Sequence, residues 1–285
     1  MRLYIVADME GATGITHRDQ LLEDGGARYW SGCRLLTGDI NAVIEGAVAE
    51  GVTEVLVSEG HANMRNVLVE ELHPAARVLR GPARWDTKPL CQVGALTADF
   101  ELGMFVGFHS RAGTPKGLLC HTWASAVVHK LTLNGREVGE TAINAALLGD
   151  AGIPVALVCG GDDLAREARA DLGDVETAVL KDVHGFDLAS CWGPKHTGPL
   201  LREAAARAVR RHQQGDFTPF IVEGPVTAEI TVIKDAMADR MALGHGVERV
   251  QRRKVRVHGE TATEALSAAW RAVQEVFHEP AGWLR

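Results

Sequence analysis

Leu3-Tyr4-Ile5-Val6-Ala7, closed by Asp8-Met9-Glu10-Gly11, and Val55-Leu56-Val57-Ser58, closed by Glu59-Gly60-His61, decide the fold of this chain. Each is a short apolar run that stops at polar residues and a glycine, the pattern of a buried strand. Between them, Leu36, Ile40, Val43, Ile44 and Ala47 recur at helical spacing over 34–50, and Gly51 ends the run. Strand, helix, strand within sixty residues implies a parallel pair joined by a right-handed crossover. The spacing predicts further strands at 77–80, 103–107, 126–133, 155–158 and 177–180. It predicts helices over 137–148, 162–170 and 200–212. The stretch from Gly11 to Gly26 reads as a polar, glycine-rich loop.

The pattern changes after Gly215. Val226-Thr-Ala-Glu-Ile-Thr-Val-Ile233 and Val255-Arg-Val257 alternate with period two, as half-buried antiparallel strands do. Thr261 and Glu264 have the spacing of a capping box for a closing helix through Phe277. The expectation is an α/β catalytic domain over 1–215, with a largely parallel sheet flanked by helices, and a small α+β segment over 216–285.

The chain has 285 residues and a formal net charge of −7, so it lacks the basic excess that phosphate-backbone binding requires. No apolar run approaches the ~20 residues that span a bilayer. The chain enters a strand at once, with no charged-then-apolar leader, so a cytoplasmic protein without nucleic-acid or membrane partners is expected. Its five cysteines are odd in number, widely spaced and form no CxxC, which argues against a disulfide framework or a zinc knuckle. Cys120 stands beside His121, but a nucleophile pair needs adjacency in space rather than in sequence.

Metal-binding residue types gather at strand ends. Asp8 and Glu10 follow the first run, His61 the second, and His109 follows Met104-Phe105-Val106. Glu140 lies just beyond Leu131-Thr132-Leu133, at a helix start. Loops at the carboxyl ends of parallel strands meet at one sheet edge, where ligands bind. Carboxylates crowded there would repel and desolvate badly unless a cation lay between them. Carboxylate and imidazole donors without thiolate suit a catalytic zinc or manganese site. His121, after the flexible Gly113-Thr-Pro-Lys-Gly117, fits an acid/base or transition-state role, a third imidazole ligand, or a loop surface residue. Arg111 could meet a substrate carboxylate or pair with Glu59. Asp162-Asp163 reads first as the acidic start of a helix.

Asp8-Met-Glu-Gly11, His61 after its strand, Val106-Gly-Phe-His-Ser-Arg-Ala112, His121-Thr122, Asn134-Gly-Arg-Glu-Val-Gly-Glu140 and Gly161-Asp-Asp163 occur in that order. Together they resemble the DppA-type zinc D-aminopeptidases. The resemblance runs from residue 3 to about 182 and continues more weakly at Ala238-Asp-Arg-Met241. It implies two zinc ions per subunit, held by Asp8, Glu10, His61, His109 and Glu140, with Asp8 bridging and His121 catalytic. It also implies a homodecamer enclosing a channel, and release of N-terminal D-amino acids such as D-alanine from short peptides. Two departures stand out. Glu59-Gly60 replaces the family's usual Asp-Ser before the second ligand, and 182–194 is unlike the family's versions, which would shift substrate preference if it borders the pocket. A binuclear phosphoesterase is the alternative enzyme, weakened by few nearby cations. A small-molecule binding protein is disfavoured because Asp8-Met-Glu-Gly11 is no phosphate-cradling turn.

Overall fold

A computed structural model describes residues 1–277; of the segment expected over 216–285, residues 278–285 lie outside the described residues. The first sheet is built around β1 (Arg2–Ala7). On one side lie β2 (Glu54–Glu59) and β3 (Ala76–Leu79), and on the other β4 (Leu102–Phe108). All of these pairings are parallel. Between β4 and the next parallel strand in the sheet, the chain makes a hairpin for a second sheet. It consists of β5 (Val128–Leu133) and β6 (Arg136–Glu137), turned at Asn134 and Gly135, both at positive φ (48° and 82°). Such two-residue turns match the twist of paired strands. The fold-back moves the start of the next helix from the expected 137 to Glu140, giving α2 (Glu140–Asp150). β7 (Val155–Gly161) and β8 (Glu176–Gly185) then extend the first sheet beyond β4.

β8 is longer than the four residues predicted for it. It runs on to Gly185 and pairs antiparallel with an edge strand, β9 (Leu188–Cys191). The remaining elements of the frame are α1 (Ala27–Ala49) and α4 (Pro194–Gln213) on one face, with α3 (Asp162–Leu172) following β7. Leu3 and Ile5 of β1 pack with Ile40 and Ile44 of α1 and with Leu201 and Ala205 of α4. Tyr4 and Val6, on the opposite face, pack towards Ile143 and Leu147 of α2. Successive residues of β1 thus serve two cores, so the run is apolar throughout. A fully buried Leu, Ile or Phe contributes on the order of 1.5–3 kcal/mol.

The second sheet has the order β11-β12-β10-β5-β6, with β10 (Val226–Val232), β11 (Glu248–Gln251) and β12 (Lys254–Gly259). β10 pairs antiparallel with both β12 and β5, and its residues alternate buried and half-buried. This sheet is not confined to the chain after residue 215, because β5 and β6 supply part of it. α5 (Asp235–Met241) and α6 (Ala262–Phe277) pack on it, and Thr261 caps α6 by accepting from Glu264 N (3.2 Å). Among the described residues, no helix is long and apolar enough to cross a membrane.

Candidate metal centre

In the order β3-β2-β1-β4-β7-β8 the direction of winding reverses between β1 and β4, which opens a crevice at the carboxyl ends of these strands. Asp8 and Glu10 leave β1 there, His61 leaves β2 and His109 leaves β4. The loop after β1 lies flat against the end of β4: Asp8 N donates to Val106 O and Gly11 N to Gly107 O, both at 2.8 Å. A Cβ on Gly11 would sit 1.7 Å from the Phe108 carbonyl oxygen, so only glycine permits this approach. Lys181, fully buried on β8, holds the same loop from below by donating to the carbonyls of Glu10 (3.1 Å) and Ile15 (2.6 Å). Glu140 arrives by a different route, as the first residue of α2 behind the β5–β6 hairpin.

The structure brings Asp8, Glu10, His61, His109 and Glu140 together, all buried, with His121 above them at 20% side-chain exposure. His61 Nδ1 lies 3.4 Å from Asp8 Oδ1 and 3.0 Å from Glu10 Oε2. His109 Nε2 lies 3.4 Å from Asp8 Oδ2 and 3.5 Å from Glu140 Oε1. His121 Nε2 is farther off, 3.9 Å from Glu10 and 3.8 Å from Glu140, and its ring stacks on His109 at 4.0 Å. Each imidazole spends its other nitrogen on a backbone carbonyl: His61 Nε2 on Leu21 (3.0 Å), His109 Nδ1 on Ser110 (2.9 Å) and His121 Nδ1 on Leu119 (2.9 Å). A carbonyl only accepts, so those nitrogens carry hydrogens, and in the neutral form that binds a metal the nitrogens facing the carboxylates hold the lone pairs. This is how ligating histidines are oriented.

Two donor sets share Asp8: Asp8, Glu10 and His61, and Asp8, His109 and Glu140, with the atoms of each set within 4.8 Å of one another. Glu10, His109 and His121 form a third such set. Glu10 Oε2 and His109 Nε2 are buried with no hydrogen-bond partner, as atoms waiting for a cation are. The proton equilibria agree. Burial pushes Glu140 upward, and the charges of Asp8 and Glu10 add to it, raising its pKa to about 8. Burial alone would depress His61 and His109, yet the surrounding carboxylates hold both well above the usual imidazole range. Burial would also raise Asp8, but bonds and charges from His109 and His61 hold it well below the carboxylate range. The pocket demands positive charge, and without a metal only protons supply it. His121 is lowered by burial and by the charge on His109.

The loop that carries His121 is fastened at several points. Asp163 Oδ2 accepts from Ser110 Oγ (2.7 Å) and from Leu118 N (3.2 Å), so the acidic start of α3 supports both flanks of the loop. Glu140 Oε1 accepts from Trp123 N (2.6 Å). Leu119 and Trp123, on either side of His121, are held at positive φ (51° and 57°), where non-glycine residues are uncommon. Arg111 pairs with Glu167 (3.1 Å) and lies 3.8 Å from Glu137, while Glu59 is taken by Arg80 (3.1 Å). Arg111 therefore neither meets Glu59 nor stands free for a substrate. Cys120 Sγ faces the Thr114 carbonyl at 3.8 Å. A cavity of about 440 Å³ opens over the cluster, with Leu21, Leu22, Trp123 and Phe186 as apolar walls. Phe186 stands at the turn between β8 and β9, and its carbonyl accepts from Leu119 N (2.7 Å), so the 182–194 segment borders the pocket through Phe186.

Sequence reasoning missed Lys181 and Gln92, while Phe186 lies within the 182–194 segment that it singled out. Lys181 left a faint trace, a cation interrupting the apolar run Ala178-Val179-Leu180.

Known proteins resemble this chain in sequence and in fold. A family described as D-aminopeptidase matches residues 1–270. A D-aminopeptidase of Bacillus subtilis (strain 168) is 37% identical over 210 residues, 74% of this chain and 74% of that protein. The solved structure of the Zn-dependent D-aminopeptidase DppA from Bacillus subtilis, a self-compartmentalizing protease, superimposes with a TM-score of 0.91 at 30% identity. That match covers 98% of this chain and 99% of that chain. With nearly its whole length matched in sequence and in fold, the chain belongs to the D-aminopeptidase family.

Proposed function

We propose that this protein is a zinc-dependent aminopeptidase that releases N-terminal D-amino acids, of the D-alanine type, from short peptides. The observation that carries the reading is the orientation of three imidazoles. Each gives one N–H to a backbone carbonyl and turns its other nitrogen towards Asp8, Glu10 or Glu140 beneath an open cavity. Asp8, Glu10 and His61 would hold one zinc ion, and Asp8, His109 and Glu140 a second, with Asp8 shared. Zinc bound there would supply a Lewis acid for the scissile carbonyl and would lower the pKa of a water towards ~7.

His121 does the proton work. Its Nδ1–H is committed to Leu119 O, so Nε2 is the atom that can take a proton from the attacking water and return it to the departing amine. Its stack on His109 and the anchored loop around it hold that nitrogen over the carboxylates. Leu21, Leu22, Trp123 and Phe186 exclude bulk water from one side of the cavity. A volume near 440 Å³ suits a dipeptide-sized ligand and is too small for a folded chain. The solved relative is a self-compartmentalizing protease, and assembly of this chain, as the decamer that the motif resemblance implies, would restrict access further. A phosphoesterase is not favoured, because Arg18, which lines the cavity, pairs with Asp24 (2.8 Å) and Arg111 is committed to Glu167.

The test is a screen of D- and L-aminoacyl amides and dipeptides with zinc-loaded protein. Turnover of D-alanyl substrates well above their L-counterparts is expected. Hydrolysis of phosphate esters alone would overturn the reading.

A further inference from the structure

Each oxygen of Asp8 faces one imidazole and one fixed amide. Oδ1 faces His61 and accepts from Met9 N (2.9 Å). Oδ2 faces His109, and Gln92 Nε2 approaches it at 3.4 Å. The Met9 amide is part of the backbone and comes with the loop. The Gln92 amide is a side chain from a distant segment, and it is held unusually firmly.

Gln92 is 2% exposed. Its backbone carbonyl accepts from Ser58 Oγ of β2 (2.7 Å). Two residues on, Tyr4 Oη donates to Gly94 O (2.7 Å) and accepts from Gly94 N (2.9 Å), tying the segment under β1. Its side-chain oxygen accepts from Asn144 Nδ2. Asn144 is fully buried on α2, one turn beyond Glu140. With its oxygen engaged by Asn144, the Gln92 amide can present only its NH₂ to Asp8. Gly60, next to His61, leaves the space for this side chain. A Cβ there would lie 2.9 Å from Gln92 Cγ and 3.0 Å from Gln92 Nε2.

We propose that Gln92 is the positioning residue of the shared carboxylate: Asn144 orients its amide, Gly60 makes room for it, and it fixes the Asp8 plane between the two metal positions. The inference rests on the ligand set proposed above. It assigns α2 two tasks, supplying Glu140 and, one turn later, setting Asp8 through Gln92. It also gives a physical reason for glycine at position 60, where any side chain would displace the amide.

The experiment compares wild type with Gln92→Leu, Gly60→Ala and the double variant. Zinc affinity is measured by competition with a chromophoric chelator, alongside kcat, KM and circular dichroism. Gln92→Leu is expected to weaken zinc binding about 10–100-fold, the range for lost outer partners of metal ligands. Gly60→Ala should weaken it in the same direction, and the double variant should be no worse than Gln92→Leu, because both act on one contact. Wild-type zinc affinity in folded Gln92→Leu overturns the inference, as does a raised KM with zinc binding unchanged, which would make Gln92 a substrate contact. Fully additive losses would also overturn it. If Gln92→Leu does not fold, Gly60→Ala decides alone by its zinc affinity. A wild-type protein that binds no zinc would overturn the ligand set itself, and this inference with it.

Discussion

Replacing His121 by alanine separates a proton carrier from a metal ligand, because the structure allows either in principle and the two predict opposite metal contents. Glu10, His109 and His121 are close enough to hold an ion, but His121 Nε2 is the most distant imidazole nitrogen, at 3.8–3.9 Å from the carboxylates. The nitrogens of His61 and His109 lie at 3.0–3.5 Å. The variant loses one stack on His109, worth about 0.5–1.5 kcal/mol. It also loses one hydrogen bond to Leu119 O, worth about 1 kcal/mol net. A fold of this size should absorb such a loss. The rate should suffer far more. Losing a general acid/base costs roughly 10²–10⁴ in kcat, or about 2.7–5.5 kcal/mol of barrier at 1.36 kcal/mol per decade. Elemental analysis of the purified variant should find as much zinc as in wild type, with kcat on a D-alanyl dipeptide down by at least a hundredfold. Loss of one zinc equivalent would refute the reasoning and make His121 a ligand. Near-normal turnover would remove it from the chemistry.

Metal content should be close to two zinc ions per chain in protein purified without chelator, and full activity with less than one would sink the shared-carboxylate site. Phe186→Ala, which opens the wall contributed by the β8–β9 turn, should lower kcat/KM for peptides with bulky apolar side chains more than for D-alanyl-D-alanine; equal losses on both would show that the wall does not select. Asp39→Asn tests a buried acid whose pKa burial raises from 3.8 to about 6, against the opposing bonds from Thr13. A raised acid favours the fold fully below its unfolded pKa and loses that contribution, about 3 kcal/mol, as pH rises through 6. The Tm of wild type minus that of the variant should therefore fall between pH 4 and pH 7, and a gap independent of pH would show that Asp39 does not titrate there. Light scattering should give a mass near ten chains, with casein cleaved poorly beside a dipeptide; a monomer that still cleaves dipeptides would show that the compartment is absent.

The parallel core was legible because burial on both faces writes itself as unbroken apolar runs, and the same logic put Asp8, Glu10, His61 and His109 at one edge. Glu140 was legible as a residue type near a helix start, but not by its route. The hairpin ahead of it belongs to another sheet, which no local pattern announces. α1 begins at Ala27, seven residues before the predicted start. In its first turns only Tyr29, Gly32 and Cys33 are buried, while Arg28, Trp30 and Ser31 face outward, too sparse an apolar stripe to read as a helix. β9 and the part of β8 beyond Lys181 lie at a sheet edge, where residues are exposed or half-buried and the apolar signal fades. Gln92 was invisible for a different reason. Its partners Asp8, Ser58 and Asn144 lie 84, 34 and 52 residues away, and a lone glutamine in a loop carries no trace of them.

Those long-range partners also bear on why this frame hydrolyses rather than binds nucleotides. A doubly wound sheet offers its switch-point crevice to anions when a glycine-rich turn after the first strand presents amide N–H groups at a helix N-terminus. Here that position is closed. Gly11 is pressed against Phe108, its N–H is spent on Gly107 O, and α1 begins sixteen residues later, at Ala27. The crevice is filled instead by the protein's own carboxyl groups, those of Asp8, Glu10 and Glu140, so its preference in charge is inverted from phosphate to cation. That inversion demands support from beneath, since carboxylates held close together would otherwise protonate or move apart. Lys181 under the loop, Asp163 under the His121 segment and Gln92 beside Asp8 each contribute a fixed polar contact that a phosphate-binding loop would not need. The catalytic character of the site therefore rests as much on what packs below the first strand's loop as on the ligands that emerge from it.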